Sequence, residues 1–499
     1  MSAIDWAIVA AYGIILISIG IAASRKQSTT DEYFRGSRQL PWWAIGLSLI
    51  ATSFSAASLL GGPGQGYNNG LLYLQTQIGD LIGFGLVIAI FLPFFVGLNL
   101  TTAYEYLEKR FDSKTRSLGS LSFLLFVIAR LGGLLYAASL AVSTVVGMPL
   151  SVAILLVGIV SIVYTVAGGI AAVVWTDVLQ FGMIFVGLAA GVWAAASGVP
   201  GGLGELWNTA GEAGKLTVIN LSWEPASIYS FPTAVFAYGV LAFAVAGTNQ
   251  QSVQRYVSCA NEADGRKAIL LGWFSGLIGV AATLVLGALL FSFYTINAGL
   301  PADIAGDAIL PHFIVNDVPA GASGLLVAAI FAAAMSSIDS ALHALATCMT
   351  VDFYDRYSKA PRNESRSLRI AQSLIVVWGI LGIAAAFYVA GTEADLLLFL
   401  IEFTTMFVAP LLGLFLMGVL FPRINANGAF YGTVITVAVL FVGVRTELYP
   451  FTALPGIWRS AVFAPAAVVL GYLISLAGSA PAERSTRGLT LWSKSTDSL

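Results

Sequence analysis

The chain has 499 residues, 58% hydrophobic and only 10% charged, with a net charge of −2 and a mean hydropathy of +0.86. Those values exclude a soluble domain and give no support to nucleic-acid binding; they describe a polytopic helical membrane protein. Two cysteines, Cys259 and Cys348, and two histidines exclude a disulfide framework and argue against a thiolate metal site.

The first residues, M-S-A-I-D-W, lack the basic start and small-residue cleavage site of a signal peptide, so the first apolar run is expected to remain as a span. Runs of spanning length fall near 5–24, 41–66, 71–98, 116–147, 150–169, 172–197, 231–256, 267–296, 320–352, 367–390, 393–421, 428–445 and 459–478, which predicts thirteen helices. Residues 1–479 form one transporter domain on this basis, with 480–499 a short, polar, flexible tail. Arg25, Lys26, Arg35 and Arg38 follow the first span; Lys109, Arg110, Lys114 and Arg116 follow the third. Arg255, Arg266 and Lys267 follow the seventh, and Arg356, Lys359, Arg362, Arg366 and Arg369 the ninth. The other side holds Lys215, Arg445 and Arg459. The positive-inside rule then places the N-terminus outside and the C-terminus in the cytoplasm.

Three spans carry polarity at mid-depth. The second reads A-T-S-F-S-A-A-S at 51–58 and then G-G-P-G at 61–64; the seventh reads A-G-T-N-Q-Q at 246–251. Each opens a set of five spans, and interrupted helices at matching places in two halves point to a midplane site between inverted repeats, 41–197 and 231–421. Spans 5–24, 428–445 and 459–478 are peripheral to that core. The plainer reading is that glycine and serine only permit close helix packing.

The ninth span contains A-A-A-M-S-S-I-D-S-A-L-H at 332–343. Ser336, Asp339, Ser340 and His343 follow i, i+3, i+4, i+7 spacing, so they form one polar stripe. Polar groups at this depth normally face a cavity, a partner or an ion. Hydroxyls with a carboxylate suit a hard alkali cation, which wants about five or six oxygens by extension from calcium and magnesium practice. An unwound second span frees carbonyls, so a first Na⁺ site is expected at the carbonyls of Ala51, Phe54 and Ala333 and the hydroxyls of Ser336 and Ser337. Asp177, Ser336, Asp339 and Ser340 are candidates for a second cation, Na⁺ or a proton. Asp177 also suits an interfacial carboxylate near a helix start.

Arg130 is the one cation deep in the fourth span. It is read either as a bidentate clamp on a substrate carboxylate or as a partner of Glu402, Asp80 or Asp177. Glu402 itself suits a hydroxyl or ammonium of the solute, or neutralisation of Arg130.

The chain resembles the sodium–solute symporter family over roughly residues 5–475. The resemblance is carried by D-E-Y-F-R-G at 31–36, T-A-Y-E-Y-L-E-K-R-F at 102–111, Y-T-V-A-G-G-I at 164–170, W-T-D-V-L-Q at 175–180, V-Q-R-Y at 253–256 and I-F-A-A-A-M-S-S-I at 330–338. The pattern is similar to the bacterial sodium–sialic acid branch. It implies an all-α LeuT-type core of five-plus-five inverted repeats, alternating access, and a conserved sodium site at the residues already named. It implies a second sodium site at Asp177, Ser336, Asp339 and Ser340, where Asp339 departs from the branch's serine. It implies a substrate site of Arg130, Gln77, Ser53, Ser55, Ser58 and Tyr238, with Ala242 in place of an asparagine. Asn249 matches an asparagine of the sugar branch.

The expectation is a sodium-coupled symporter of a small polar solute, a carboxylate such as sialic acid or another sugar acid, in a bacterial inner membrane. It would use one or two Na⁺, no organic cofactor and no obligate protein partner. A symporter of neutral sugars, polyols or amino acids is the alternative within the class; a sodium-independent channel or uniporter is the alternative outside it. An enzyme is not expected: Ser323 and His343 on one helix lie about 30 Å apart at 1.5 Å per residue, too far for a nucleophile and its base. His343 is expected to be a satisfied packing residue.

Overall fold

The computed structural model describes residues 1–24, 29–301, 304–359, 363–392, 396–446 and 455–493, leaving aside the side chains of 23, 24, 167 and 396–403. Among the described residues every regular element is helical. Among the described residues nine helices are long and apolar enough to cross a membrane, and four shorter apolar helices lie at 42–53, 150–166, 233–248 and 404–420.

Fifteen helices matter for the site: α1 (Ala3–Ser24), α2 (Trp42–Ser53), α3 (Ala56–Asn69), α4 (Thr76–Leu86), α5 (Ser113–Val146), α6 (Leu150–Ala167), α7 (Ile170–Ser197), α8 (Tyr238–Thr248), α9 (Gln250–Val257), α10 (Glu262–Asn297), α11 (Ala322–Cys348), α12 (Glu364–Ala390), α13 (Leu396–Leu420), α14 (Ala426–Arg445) and α15 (Arg459–Leu476). The centre is α11. The apolar window of its span is 89% buried, against 22–61% for the other eight long spans. Its polar stripe therefore meets protein rather than lipid. It packs against α7, α5 and α1, and α2 and α3 cross its middle.

The two predicted breaks are present. Phe54 leaves helical geometry (φ −88°, ψ 83°) between α2 and α3, and α3 restarts with Ser55 as its cap, its hydroxyl accepting from Ser58 N at 3.4 Å. Asn249 is extended (φ −78°, ψ 123°) between α8 and α9, and its side-chain oxygen accepts from Gln251 N at 2.9 Å. A short polar side chain that offers the backbone a bond outside the helical ladder explains both restarts.

G-G-P-G at 61–64 does not belong to the break. It continues α3, where Gly64 approaches the Gly306 backbone and Gly66 meets Gly287 of α10. A Cβ at Gly64 or Gly66 would overlap backbone, so here the packing role of glycine holds.

The tail departs from expectation. Tyr106 Oη donates to Leu489 O at 2.8 Å, Trp492 Nε1 donates to Leu420 O at 2.7 Å, and Leu489 is buried. Residues through 493 are thus held on the bundle rather than loose. Several basic side chains read as orientation markers are also engaged: Arg116 pairs with Asp352 at 2.7 Å and Glu108 at 2.8 Å, and Arg110 donates to the carbonyls of Gly418, Phe421, Pro422 and Ile424. Trp42, Trp43 and Trp175 remain partly exposed near helix ends, as interface anchors would.

Candidate functional site

The first cation constellation assembles where α11 crosses the end of α2. Ser336 Oγ donates to Ala51 O at 2.8 Å and to Ala333 O at 3.1 Å. Ser337 Oγ donates to Thr52 O at 2.9 Å, one residue from the carbonyl expected. Ala51, Ala333, Ser336 and Ser337 are all buried, and Phe54 sits at the break itself, its N–H closing α2 on Ile50 O at 2.8 Å while its dihedrals leave the helix. Carbonyls and hydroxyls brought together at a helix break form an oxygen cluster suited to a hard cation; each hydroxyl can turn its proton aside and offer a lone pair.

One turn along α11, a second group forms around Arg255 of α9. Its Nη2 donates to Asp177 Oδ2 at 2.8 Å and to Ser340 Oγ at 2.6 Å, its Nε to Ser48 Oγ at 2.7 Å, and its Nη1 to Gln251 O at 2.7 Å. Ser48 Oγ also donates to Asp177 Oδ2 at 2.5 Å, and Thr52 Oγ1 shares a hydrogen bond with Ser340 Oγ at 2.9 Å. Arg255 is 1% exposed and Asp177 fully buried. Neither Arg255 nor Asp177 is an exposed flank: the two form a buried ion pair joining α9, α7, α2 and α11. Removing a guanidinium and a carboxylate from water is tolerable only when they are paired and hydrogen-bonded, as here. Asp339, on the same face of α11, accepts from its neighbour Ser340 N at 2.6 Å. Its Oδ2 and the Oδ1 of Asp177 have no hydrogen-bond partner.

The proposed solute residues are less tightly grouped. Ser53 is exposed and donates to Leu49 O at 3.2 Å, and Ser58 is half-buried beside Ser55. Gln77 is buried and donates to Asp80 Oδ2 at 2.8 Å. Tyr238 is half-buried, edge-on to Tyr73 with ring centres 5.7 Å apart. Asn249, buried, is occupied as the α9 cap. Arg130, half-buried on α5, has no hydrogen bond or ion pair among the described residues. Asp177 is committed to Arg255 and Asp80 to Gln77, so neither is its partner. The side chain of Glu402 lies outside the described residues. His343 Nδ1 shares a hydrogen bond with Gln254 Nε2 at 3.1 Å, but its Nε2 is unpartnered, so it is only half satisfied. Ser323 donates to Asp5 Oδ1 at 2.7 Å, a cap rather than a nucleophile's arrangement.

A family model described as the sodium:solute symporter family matches residues 33–436. The chain belongs to that family. It is 33% identical over 446 residues to the sodium/sialic acid symporter NanT of Aliivibrio fischeri, covering 88% of this chain and 87% of the relative. It is 31% identical over 459 residues to the human sodium-coupled monocarboxylate transporter 1, covering 89% and 74%. A solved Na⁺-coupled sialic acid symporter in a substrate-bound outward-open state aligns with a TM-score of 0.87 and 29% identity, covering 97% of this chain and 99% of that one. The symporter is sodium-coupled, multi-pass and membrane-embedded, and Na⁺ is its coupling ion.

Proposed function

We propose that this symporter imports a carboxylate, sialic acid or a chemically related sugar acid, across a bacterial inner membrane with two cations per solute. The observation that carries the solute class is Arg130, a guanidinium on a central helix with no protein counter-ion among the described residues. Such a group is costly at mid-depth unless an anion reaches it, and its fork matches a carboxylate in two parallel bonds. The names of the relatives agree in chemistry, since sialic acid and monocarboxylates are both carboxylic acids. Ser53, Ser55, Ser58, Gln77 and Tyr238 supply hydroxyl, amide and aromatic contacts for the rest of the solute.

The first Na⁺ is assigned to Ala51, Phe54, Ala333, Ser336 and Ser337, and the second cation to the neighbourhood of Asp177, Ser336, Asp339 and Ser340. One Na⁺ with one carboxylate moves no net charge. Two Na⁺ move one, worth about 2.3 kcal/mol per 100 mV, or roughly fifty-fold further accumulation. Residues 41–197 and 231–421 are taken as inverted repeats, thirteen spans in all, with the N-terminus outside. The helix breaks at Phe54 and Asn249 support this arrangement. Outside Na⁺ would order α2 against α11, favour the outward-open state and raise solute affinity; solute must raise Na⁺ affinity by the same factor.

The test is uptake in proteoliposomes of sialic acid, other sugar acids, monocarboxylates and neutral sugars, with and without an inward Na⁺ gradient, for wild type and Arg130→Ala. Sodium-driven uptake confined to carboxylates and lost in Arg130→Ala is expected. Equal uptake of neutral sugars, or retained carboxylate affinity in the variant, would return Arg130 to a structural role.

A further inference from the structure

We propose that Tyr12 and Gln180 complete the oxygen shell of the second cation, so that the ion is held by two carboxylates, an amide and a phenol between α1, α7 and α11. This rests on the second-cation assignment above and changes its ligands. The serines of that assignment are shared with other groups: Ser336 Oγ belongs to the first constellation with the carbonyls of Ala51 and Ala333, and Ser340 Oγ accepts from Arg255 Nη2 and bonds Thr52 Oγ1. What remains open are four buried groups without hydrogen-bond partners: Asp177 Oδ1, Asp339 Oδ2, the Gln180 side-chain amide and Tyr12 Oη. Asp177, Gln180 and Asp339 are fully buried, and Tyr12 is 6% exposed.

These groups share one place. Gln180 follows Asp177 by three residues, so both project from one face of α7. Tyr12 Oη lies beside Gln180 and within electrostatic reach of both Asp339 and Asp177, without the geometry of a hydrogen bond to any of them. The α1 helix that carries it packs on α7 and α11. The remaining charged or titratable neighbours are Arg255, bonded to Asp177, and Tyr164 of α6, which lies against Asp339 while donating to Met335 O at 3.1 Å. Burying one unpartnered polar atom is costly; four converging on one spot mark a place built around something else.

Charge and donor type say what that is. Arg255 contributes +1 and the two aspartates −1 each, leaving −1, which one monovalent cation neutralises and a divalent ion would overshoot. All four groups offer oxygen, with the amide turned to present its Oε1, which suits a hard alkali ion over a transition metal. Among the described residues no group of three or more His, Cys, Asp or Glu is placed to hold a metal. Four oxygens leave one or two positions of a sodium shell of about five or six for water or main chain.

The experiment uses the purified full chain, titrated with NaCl at ionic strength held by choline chloride. It reads thermal stabilisation, tryptophan fluorescence and the sodium Hill coefficient of uptake. Asp177→Asn first tests the second cation: its Hill coefficient should fall to one, and an unchanged coefficient removes that assignment and this inference together. With the coefficient reduced, Tyr12→Phe and Gln180→Leu are each expected to raise half-saturating Na⁺ about tenfold, the loss of one ligand to a charged partner. Gln180→Glu, which keeps an oxygen there, should retain Na⁺ stabilisation. If Tyr12→Phe and any folded Gln180 variant titrate like wild type while Asp177→Asn does not, the second cation stands and the shell proposed here is wrong.

Discussion

Replacing Arg255 by methionine removes a guanidinium that makes four hydrogen bonds and leaves Asp177 facing Ser48 and Thr52 with no cation. Losing one partner of a buried pair costs about 3–5 kcal/mol, because the remaining charge is stranded. Asp177→Leu should cost a comparable amount by stranding the guanidinium. The double variant replaces both charges by apolar groups and should recover most of the loss, since a buried pair is often no more stable than a packed apolar one. The assay is a thermal melt of the four proteins in detergent, read as a double-mutant cycle, with coupling of at least about 2 kcal/mol expected for residues in direct contact. Additive losses would refute the reasoning, for they would mean that Arg255 and Asp177 do not interact in the folded protein. All three variants should lose the second cation, so any uptake that remains should show a sodium Hill coefficient of one, because none keeps the Asp177 carboxylate beside its guanidinium.

Ser337→Ala should raise the Na⁺ concentration for half-maximal uptake about tenfold with solute selectivity unchanged, by loss of one ligand-competent hydroxyl. An unaltered sodium curve would place Ser337 outside the first site. Tyr106→Phe deletes the bond to Leu489 O, worth about 1 kcal/mol, and should make the tail beyond Gly478 more sensitive to protease. Equal digestion of variant and wild type would show that the tail is held by other contacts. The hydrogen bond from Arg356 to Glu108, together with Arg116, holds the Glu108 carboxyl below the ordinary glutamate range. A lowered carboxyl pKa contributes stability that is present above its unfolded value and lost as pH falls through the folded value. The acid limb of the melting curve should therefore be shallower in Glu108→Gln; an identical limb would assign it to other groups.

Much of the candidate first cation site was legible because its signals were local. Ser336 and Ser337 interrupt an apolar helix, and Phe54 and Asn249 sit where polar residues break two others. What periodicity could not supply was the partner across the fold. Ser337 meets Thr52 rather than its neighbours because register between crossing helices is set by packing, not by either sequence alone. Arg255 stands in V-Q-R-Y beside Cys259, Arg266 and Lys267, where a basic residue ordinarily marks a cytoplasmic flank, and only the fold turns it inward to Asp177. Gln180 carries a readable signal, standing three residues after an intramembrane aspartate on the same helix face. Tyr12 carries a weak one, since Asp5 shares its face two turns earlier but stands in the first turn of α1, where a carboxylate ordinarily needs no further explanation. The tail was misjudged for a related reason: a polar composition describes solubility, whereas Leu489 and Trp492 dock through single contacts.

Asp5 gives the outermost helix a fixed position. Its Oδ1 accepts from Gly321 N at 2.7 Å, Ser323 Oγ at 2.7 Å and Gly324 N at 2.9 Å, so a carboxylate on α1 caps the positive end of α11. Tyr12, two turns further along α1, is thereby held in register with Asp339 on the helix that Asp5 caps. A helix tethered in this way is fixed to α11, so any shift of α11 would carry Tyr12 and Asp339 together. Bending in a transport cycle would then fall elsewhere, at Phe54 and Asn249, where the dihedrals leave the helical range.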